Sequence, residues 1–435
     1  MAINQTSFTN TPQAGNDVYN YSEDQILGLA NYNNTNSVLT LDVMGNDLGG
    51  NAKTLYSVDD GNGNPLTADF ELLIKDVNAN GVSGWEKTEQ QNWVRINNGK
   101  IEFALGAVTD GVAGPSGTSI NTLAGNEVVH DSFVYAIRLG NGTLSQARVT
   151  VNILGQNDGP VIGAETLTGQ VTEKIIPTGT LVTTGNIAFT DADLADTHTA
   201  TVVTSTAGAL GQLTASISGD TTGTGKGGVV TWNYSVNASA VEYLAAGETK
   251  VEHFTVVLSD GRGGTVERTV TVNVIGTNDA PVLSGTQATL ASGTEDTAYT
   301  VKASDLLQGF SDVDGDKLSV ADLKSSNGTV VDNGDGTYTM TPAANYNGKV
   351  TLSYSVTDSN GSTVAASQQF NLAAVNDAVT GSATAVLAAG TEDTAYTVTA
   401  AQLLQGFSDV DVATNGQVLS VSGAVTADHG TVADN

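Results

Sequence analysis

The chain contains no cysteine, which excludes disulfide staples and thiolate metal sites. Basic residues are also scarce: 16 lysines and arginines face 46 aspartates and glutamates among 435 residues, a formal net charge of −30. With no basic face to neutralise phosphates, nucleic acid is a poor partner, and anionic membrane surfaces are disfavoured for the same reason. The four histidines (His130, His198, His253 and His429) are scattered, and none sits at a paired metal-ligand spacing. No apolar run approaches the roughly 18 residues of a membrane span. The opening residues, Met1-Ala2-Ile3-Asn4-Gln5-Thr6, carry neither the basic nor the apolar segment of a secretory signal. There is no Gly-x-Ser-x-Gly elbow and no phosphate loop. Gly223 to Gly228 is glycine-rich but lacks the Walker spacing, and reads as a connection between strands. No enzyme is expected.

What is present points to strands. Thr, Val and Gly are abundant, hydrophobic content is 39%, and long apolar patterns of period 3.6 are missing. Phrases recur at a fixed offset. Thr294-Glu295-Asp296-Thr297-Ala298-Tyr299 returns at 391–396, and Gln308-Gly309-Phe310-Ser311-Asp312-Val313-Asp314 returns at 405–411; both are displaced by 97 residues. Such an offset means tandem domains, each with its own core.

Three linker phrases punctuate the chain: Gly155-Gln156-Asn157-Asp158-Gly159-Pro160, Gly276-Thr277-Asn278-Asp279-Ala280-Pro281 and Ala374-Val375-Asn376-Asp377-Ala378-Val379. The first two follow alternating strands, Arg148 to Ile153 and Arg268 to Val274, so each reads as a last strand, a short linker and the next domain's first strand. Hairpin turns carrying Asp260 and Asp358 lie 19 residues before linker residues Asp279 and Asp377. Regular short strands with such turns indicate antiparallel β-sandwiches. The expected organisation is a tail at 1–14 and sandwiches at 15–156, 157–278 and 279–376, then a repeat at 377–435 that breaks off in mid-fold and packs poorly.

These residues resemble known repeats. The second unit resembles the VCBS repeat through Asp191-Ala192-Asp193, Asp196-Thr197-His198-Thr199, Gly228 to Tyr234, Tyr243 to Glu248 and the linker at 276–281. The third unit and the one after it resemble bacterial cadherin-like repeats of the tandem-95 type. The first is a more distant relative through Ala14 to Asp17 and Leu41 to Asp47. The resemblance implies an all-β fold of tandem cadherin/Ig-like antiparallel β-sandwiches in an elongated array. It also implies an extracellular role in large bacterial surface adhesins or biofilm-matrix proteins, exported by type I secretion.

Sandwich topology places the acidic phrases. A first strand of about 12 residues at roughly 3.3 Å each runs ~40 Å from one pole to the other. Glu295 and Asp296 then lie beside Asn376 and Asp377, while the loop of Asp312, Asp314 and Asp316 lies beside Asn278 and Asp279. The expected groups are Glu173, Asn278, Asp279, Asp312, Asp314, Asp316 and Asp358 at the second linker, and Glu295, Asp296, Asn376, Asp377, Asp409 and Asp411 at the third. At the first linker they are Asn157, Asp158, Asp191, Asp193 and Asp260, with Glu23 and Asp24 as weaker members. Clustered carboxylates without bases resist ionisation unless a cation intervenes, and hard oxygen ligands in flexible loops suit Ca²⁺. Lys174, standing where later units carry Asp296 and Asp393, is expected to weaken the second group. Asp332, Asn333 and Asp335 read instead as a hairpin turn.

The leading functional reading is therefore a calcium-rigidified spacer and adhesion module. Two alternatives remain open at this point: accessory repeats of a secreted hydrolase, or a glycan-binding module in 15–156 around Trp85 and Trp93. Surface glycans or other cell-surface and matrix proteins are the partners considered, reached through other domains.

Overall fold

The computed structural model describes residues 13–59, 75–105, 120–204 and 206–435; all but the last two residues of the expected 1–14 tail lie outside them. The chain divides into two compact units. One comprises 1–171, 180–237 and 250–274, the other 172–179, 238–249 and 275–435.

In the first unit, period-2 sequences become paired sheets. A four-stranded sheet runs in the order Asp17–Ser22, Leu144–Leu154, Val128–Arg138, Thr54–Asp59. It faces a five-stranded sheet in the order Tyr32–Asn33, Val38–Leu41, Lys100–Ala104, Trp93–Asn97, Glu86–Lys87. Both sheets feed one core: Val149, Val151 and Ile153 from one, Leu39, Leu41, Ile96, Ile101 and Phe103 from the other. The intervening Thr150 and Asn152 stay out of it, because alternate side chains in a strand point to opposite faces.

A second pair of sheets follows. One has the order Val161–Glu165, Thr180–Thr190, Gly228–Asn237, Gln212–Gly219; the other Thr168–Thr172, Thr265–Ile275, Thr249–Ser259, Thr199–Thr204. Trp232 is fully buried here and donates Nε1–H to Thr166 O at 2.7 Å. Its cross-strand partner is Gly185, where a Cβ would lie 2.5 Å from the indole; the missing side chain is what admits the ring. The glycine-rich run 223–228 connects two strands of this sheet, as its sequence suggests.

The second unit contains a third sandwich. Gly293–Thr294, Thr363–Ala373, Gly348–Thr357 and Ser319–Ser325 form one sheet; Tyr299–Lys302, Thr337–Pro342 and Gly328–Asp332 form the other. Val301, Leu306, Met340, Val350, Leu352, Val356 and Leu372 fill the space between, and Tyr299 stacks on Phe370 with centroids 4.2 Å apart.

Two features depart from a simple antiparallel picture. The first strand of this sandwich is broken: Val282–Leu283 pairs with Phe310–Ser311, and only Gly293–Thr294 reaches the other sheet. In addition, Gly293–Thr294 runs parallel to the last strand, as Asp17–Ser22 does beside Val149 to Leu154. The physical reason is the same in both. A chain that enters at one pole and leaves at the other has first and last strands pointing the same way, so when they meet at a sheet edge they pair in parallel.

Beyond residue 377, the strands Thr380–Gly381 and Phe407–Ser408 pair, followed by the helix Val410–Thr414. From 378 to 435 only Asp411 is buried. Among the described residues no helix is long and apolar enough to cross a membrane.

Candidate metal centres

The three linkers build one hydrogen-bond frame. In the first, Gly155 N–H donates to Glu127 O (2.9 Å), Gln156 N–H to Glu23 Oε2 (3.0 Å), Asn157 Nδ2 to Asp260 Oδ2 (2.9 Å) and Asp158 N–H to Asp193 Oδ2 (2.9 Å). In the second, Gly276 N–H donates to Glu248 O (2.9 Å), Thr277 N–H to Glu173 Oε2 (2.8 Å), Asn278 Nδ2 to Asp358 Oδ2 (2.9 Å) and Asp279 N–H to Asp314 Oδ2 (2.9 Å). In the third, Val375 N–H donates to Glu295 Oε1 and Asp377 N–H to Asp411 Oδ2, each at 2.8 Å.

The Asp-x-Asp spacing has a local cause. The first Asp accepts the N–H of the second through an Asx turn: Asp191 from Asp193 (2.9 Å), Asp312 from Asp314 (3.0 Å) and Asp409 from Asp411 (2.9 Å). The turn brings two carboxylates to one side of the loop, and the linker amide then aims the second. In most of these carboxylates one oxygen is tied to backbone and the other is left over. Glu23 Oε1, Asp193 Oδ1, Glu173 Oε1, Asp279 Oδ2, Asp312 Oδ2, Asp314 Oδ1 and Asp377 Oδ2 are buried and have no hydrogen-bond partner.

These leftover oxygens converge. Among the described residues, carboxylate oxygens lie within 4.8 Å of one another in five groups: Glu23/Asp158/Asp193, Asp191/Asp193/Asp196, Glu173/Glu242/Asp279, Asp312/Asp314/Asp316 and Glu295/Asp377/Asp411. Burial pushes Glu23, Asp193 and Glu173 up to about 7, with repulsion from neighbouring carboxylates adding to it and a linker N–H opposing it. Asp158, Asp196, Asp279, Asp312, Glu242 and Asp377 are also raised, first by burial and then by neighbouring acids. Convergent, desolvated oxygens without donors fit a hard divalent cation.

Other residues of the expected groups take different places. Asp260 spends Oδ1 on the N–H groups of Arg262, Gly263 and Gly264 and Oδ2 on Asn157. Asp358 does the same for Asn360, Gly361, Ser362 and Asn278. For Asp358, burial would raise the carboxyl, but these bonds outweigh it and hold it below the usual range. Both residues reach the linkers, yet they organise the hairpin and grip the linker Asn; neither presents a free oxygen. Asn157, Asn278 and Asn376 each donate to the carbonyl of the following Asp. Asp296 caps Asn345 N–H at 2.9 Å and faces Asp377; Asp409 stays within its Asx turn.

Glu242 and Asp196 join the groups without having been singled out, and Glu23 is a full member of its group. Glu242 immediately precedes the Tyr243-Leu244 phrase, the only hint of its position in the sequence. Lys174 is exposed and turns its Nζ to Thr178 O. Near Trp85 and Trp93, Arg95 lies 4.4 Å from the first ring centroid and Lys87 4.3 Å from the second, and Trp93 is buried. A cation therefore lies over one face of each indole. Asp332 and Asp335 accept from Gly334 and Thr337 N–H in the hairpin turn.

The leading glycine of the linkers is set by steric limits. A Cβ at Gly155 would lie 2.4 Å from Ala124 O, and one at Gly276 2.1 Å from Leu244 O. Gly276→Ala is expected to cost about 1–3 kcal/mol by pushing the linker off the carbonyl. Urea unfolding of the full chain measures this, and an unchanged midpoint would count against so tight an approach.

The fold and site define a class: sandwiches in tandem, with carboxylate clusters where one hands over to the next. Residues 277–373 and 375–435, about a third of the chain, each match the family model of the Cadherin-like domain. No curated protein matches. Solved structures similar to the chain include PcdhgB3 EC1-4 (12% identity, covering 84% of this chain and 76% of that one, TM-score 0.35) and mouse Cadherin-23 EC22-24 (13%, 74% and 86%, 0.33). An endo-fucoidan hydrolase from glycoside hydrolase family 107 is also similar (15%, 68% and 39%, TM-score 0.19). At these TM-scores the three structures carry no weight for fold or function.

Proposed function

We propose that the chain is a non-catalytic, extracellular spacer and adhesion module whose inter-domain linkers bind calcium. The bacterial cell surface or biofilm matrix, reached by type I secretion, is the setting its repeat resemblance favours. The domains would be 15–156, 157–278 and 279–376, with a further cadherin-like repeat at 377–435. One observation carries the reading: carboxylate oxygens converge beside every linker, and at each at least one of them is buried without a donor, Glu23 Oε1 and Asp193 Oδ1 at the first, Glu173 Oε1 and Asp279 Oδ2 at the second, Asp377 Oδ2 at the third.

Glu23, Asp158, Asp191, Asp193 and Asp196 would hold cations at the first linker, Glu173, Glu242, Asp279, Asp312, Asp314 and Asp316 at the second, and Glu295, Asp377 and Asp411 at the third. Asp260, Asp358, Asp409 and the linker asparagines would position these groups. A bound cation would cancel the repulsion among the acids and tie the linker to the loops on either side of it. The partners would then be Ca²⁺ and the surface molecules met by neighbouring domains.

Isothermal titration of the full chain, stripped with EGTA and dialysed, tests this directly. Saturable heats with CaCl₂, much weaker with MgCl₂, are expected because Ca²⁺ accepts irregular oxygen shells and Mg²⁺ demands octahedral ones. A titration with CaCl₂ indistinguishable from buffer dilution would end the proposal.

A further inference from the structure

If the linkers bind cations as proposed above, the first two differ in how much they depend on them. Their shared frame lets positions be matched through hydrogen bonds. Glu127 N–H donates to Ala124 O as Glu248 N–H does to Ala245 O, each just ahead of the bond from Gly155 or Gly276. Asn121 therefore corresponds to Glu242, and Asn126 to Gly247. In the hairpins, Asp260 Oδ1 collects the N–H groups of Arg262, Gly263 and Gly264, and Asp358 Oδ1 those of Asn360, Gly361 and Ser362. Arg262 thus corresponds to Asn360.

The side chains at these matched positions are different in kind. At the first linker, Arg262 Nε lies 2.5 Å from Asp196 Oδ1, and the same guanidinium donates to the side chain of Asn126. Asn126 belongs to the turn before Val128–Arg138 in the first sandwich, Arg262 to a hairpin of the second, and both lie within the first unit. One cation therefore meets a fully buried carboxylate and bridges the joint. Asn121 adds a neutral donor, Nδ2 to Asp158 Oδ2 at 2.9 Å. At the second linker, Asn360 reaches Asp316 Oδ2 at 2.6 Å without bringing charge. Gly247 has no side chain to grip, and Glu242 adds a carboxylate beside Glu173 and Asp279. At these matched positions one positive charge is missing and one negative charge is gained; Lys174, which stands in register with Asp24 and adds positive charge, is exposed and turns to Thr178 O instead of a carboxylate.

We propose that Arg262 is a built-in cation that keeps the first linker closed without metal, whereas the second closes only when a divalent cation is bound. Falling calcium would then release the linkers in order, the second before the first. Removing the guanidinium would leave Asp196 buried and uncompensated, which is more costly than never having had the pair.

Four amides report the difference: Gln156 and Asp158 at the first linker, Thr277 and Asp279 at the second, each donating to an equivalent carboxylate. Hydrogen exchange on the full chain, in calcium and in EGTA, reads them directly. In EGTA, Thr277 and Asp279 are expected to exchange about tenfold faster or more while Gln156 and Asp158 keep their protection. In Arg262→Gln, and independently in Asn126→Ala, Gln156 and Asp158 should become calcium-dependent too, with the amides around Trp232 reporting that the sandwich is intact. Equal loss at both linkers in the unmodified chain, or calcium-independent protection at the first linker in both variants, overturns the inference and leaves the cation reading standing. Four amides indifferent to calcium overturn that reading and this inference with it.

Discussion

Stripping calcium with EGTA is expected to lower the melting temperature of the full chain by about 5–10 °C. The magnitude follows from linkage: one site at a hundredfold excess of ligand over its Kd adds about 2.7 kcal/mol to the folded state. For cooperative blocks of a few hundred residues each kcal/mol moves the midpoint by about 2–4 °C. The sign follows from the site. Without an ion, the five acidic groups hold buried oxygens that neither donate nor find a donor; with one, the same oxygens become ligands. The elements beside the linkers should respond most, because Glu23, Glu173 and Glu295 each tie a linker amide to a sheet terminus. Differential scanning calorimetry in CaCl₂, MgCl₂ and EGTA makes the comparison. Superimposable traces in calcium and EGTA would remove the thermodynamic basis for cation binding.

The second large effect is an inversion of pH dependence. In metal-free protein Glu23, Asp193 and Glu173 sit at about 7, against ordinary carboxyl values near 4 in the unfolded chain. Between these values the folded state holds protons that the unfolded state has released. Stability from these groups is therefore fully present below about pH 4 and is lost as pH rises through about 7. With calcium the trend runs the other way, since the ion must displace those protons to bind and binds better as pH rises. Metal-free stability should fall between pH 5 and 8, while the gain from calcium grows over the same range. Urea midpoints at pH 5, 6, 7 and 8, with and without calcium, check both slopes. Parallel slopes would mean that the ion does not meet these carboxylates.

Much of the architecture was legible from local rules. Val149, Val151 and Ile153 are buried because alternation places them on one face of a strand, and the Asp-Asn-Gly-Asp-Gly run turns because Asp332 and Asp335 cap their own backbone. The broken strand at 282–294 was not legible. Its two halves pair with residues 310–311 and 372–373, and no local preference encodes a change of sheet. Asp260 and Asp358 were placed at the linkers by spacing, but spacing does not tell how many N–H groups converge on a carboxylate. Glu242 was passed over for the converse reason: an isolated acid in sequence, it gains company only when distant loops meet, whereas Asp196 stands three residues after Asp193 and was read only as part of a repeat phrase.

By itself, the sequence determined that the chain is all-β, that it repeats, and that acids accumulate where repeats join, because strand alternation, Asx turns and net charge are local or additive properties. Tertiary structure decided which acids share a site, which oxygens remain free, and where a single arginine stands in for a cation. Those outcomes depend on hydrogen bonds and burial between segments a hundred or more residues apart, such as Gln156 on Glu23 and Arg262 on Asn126.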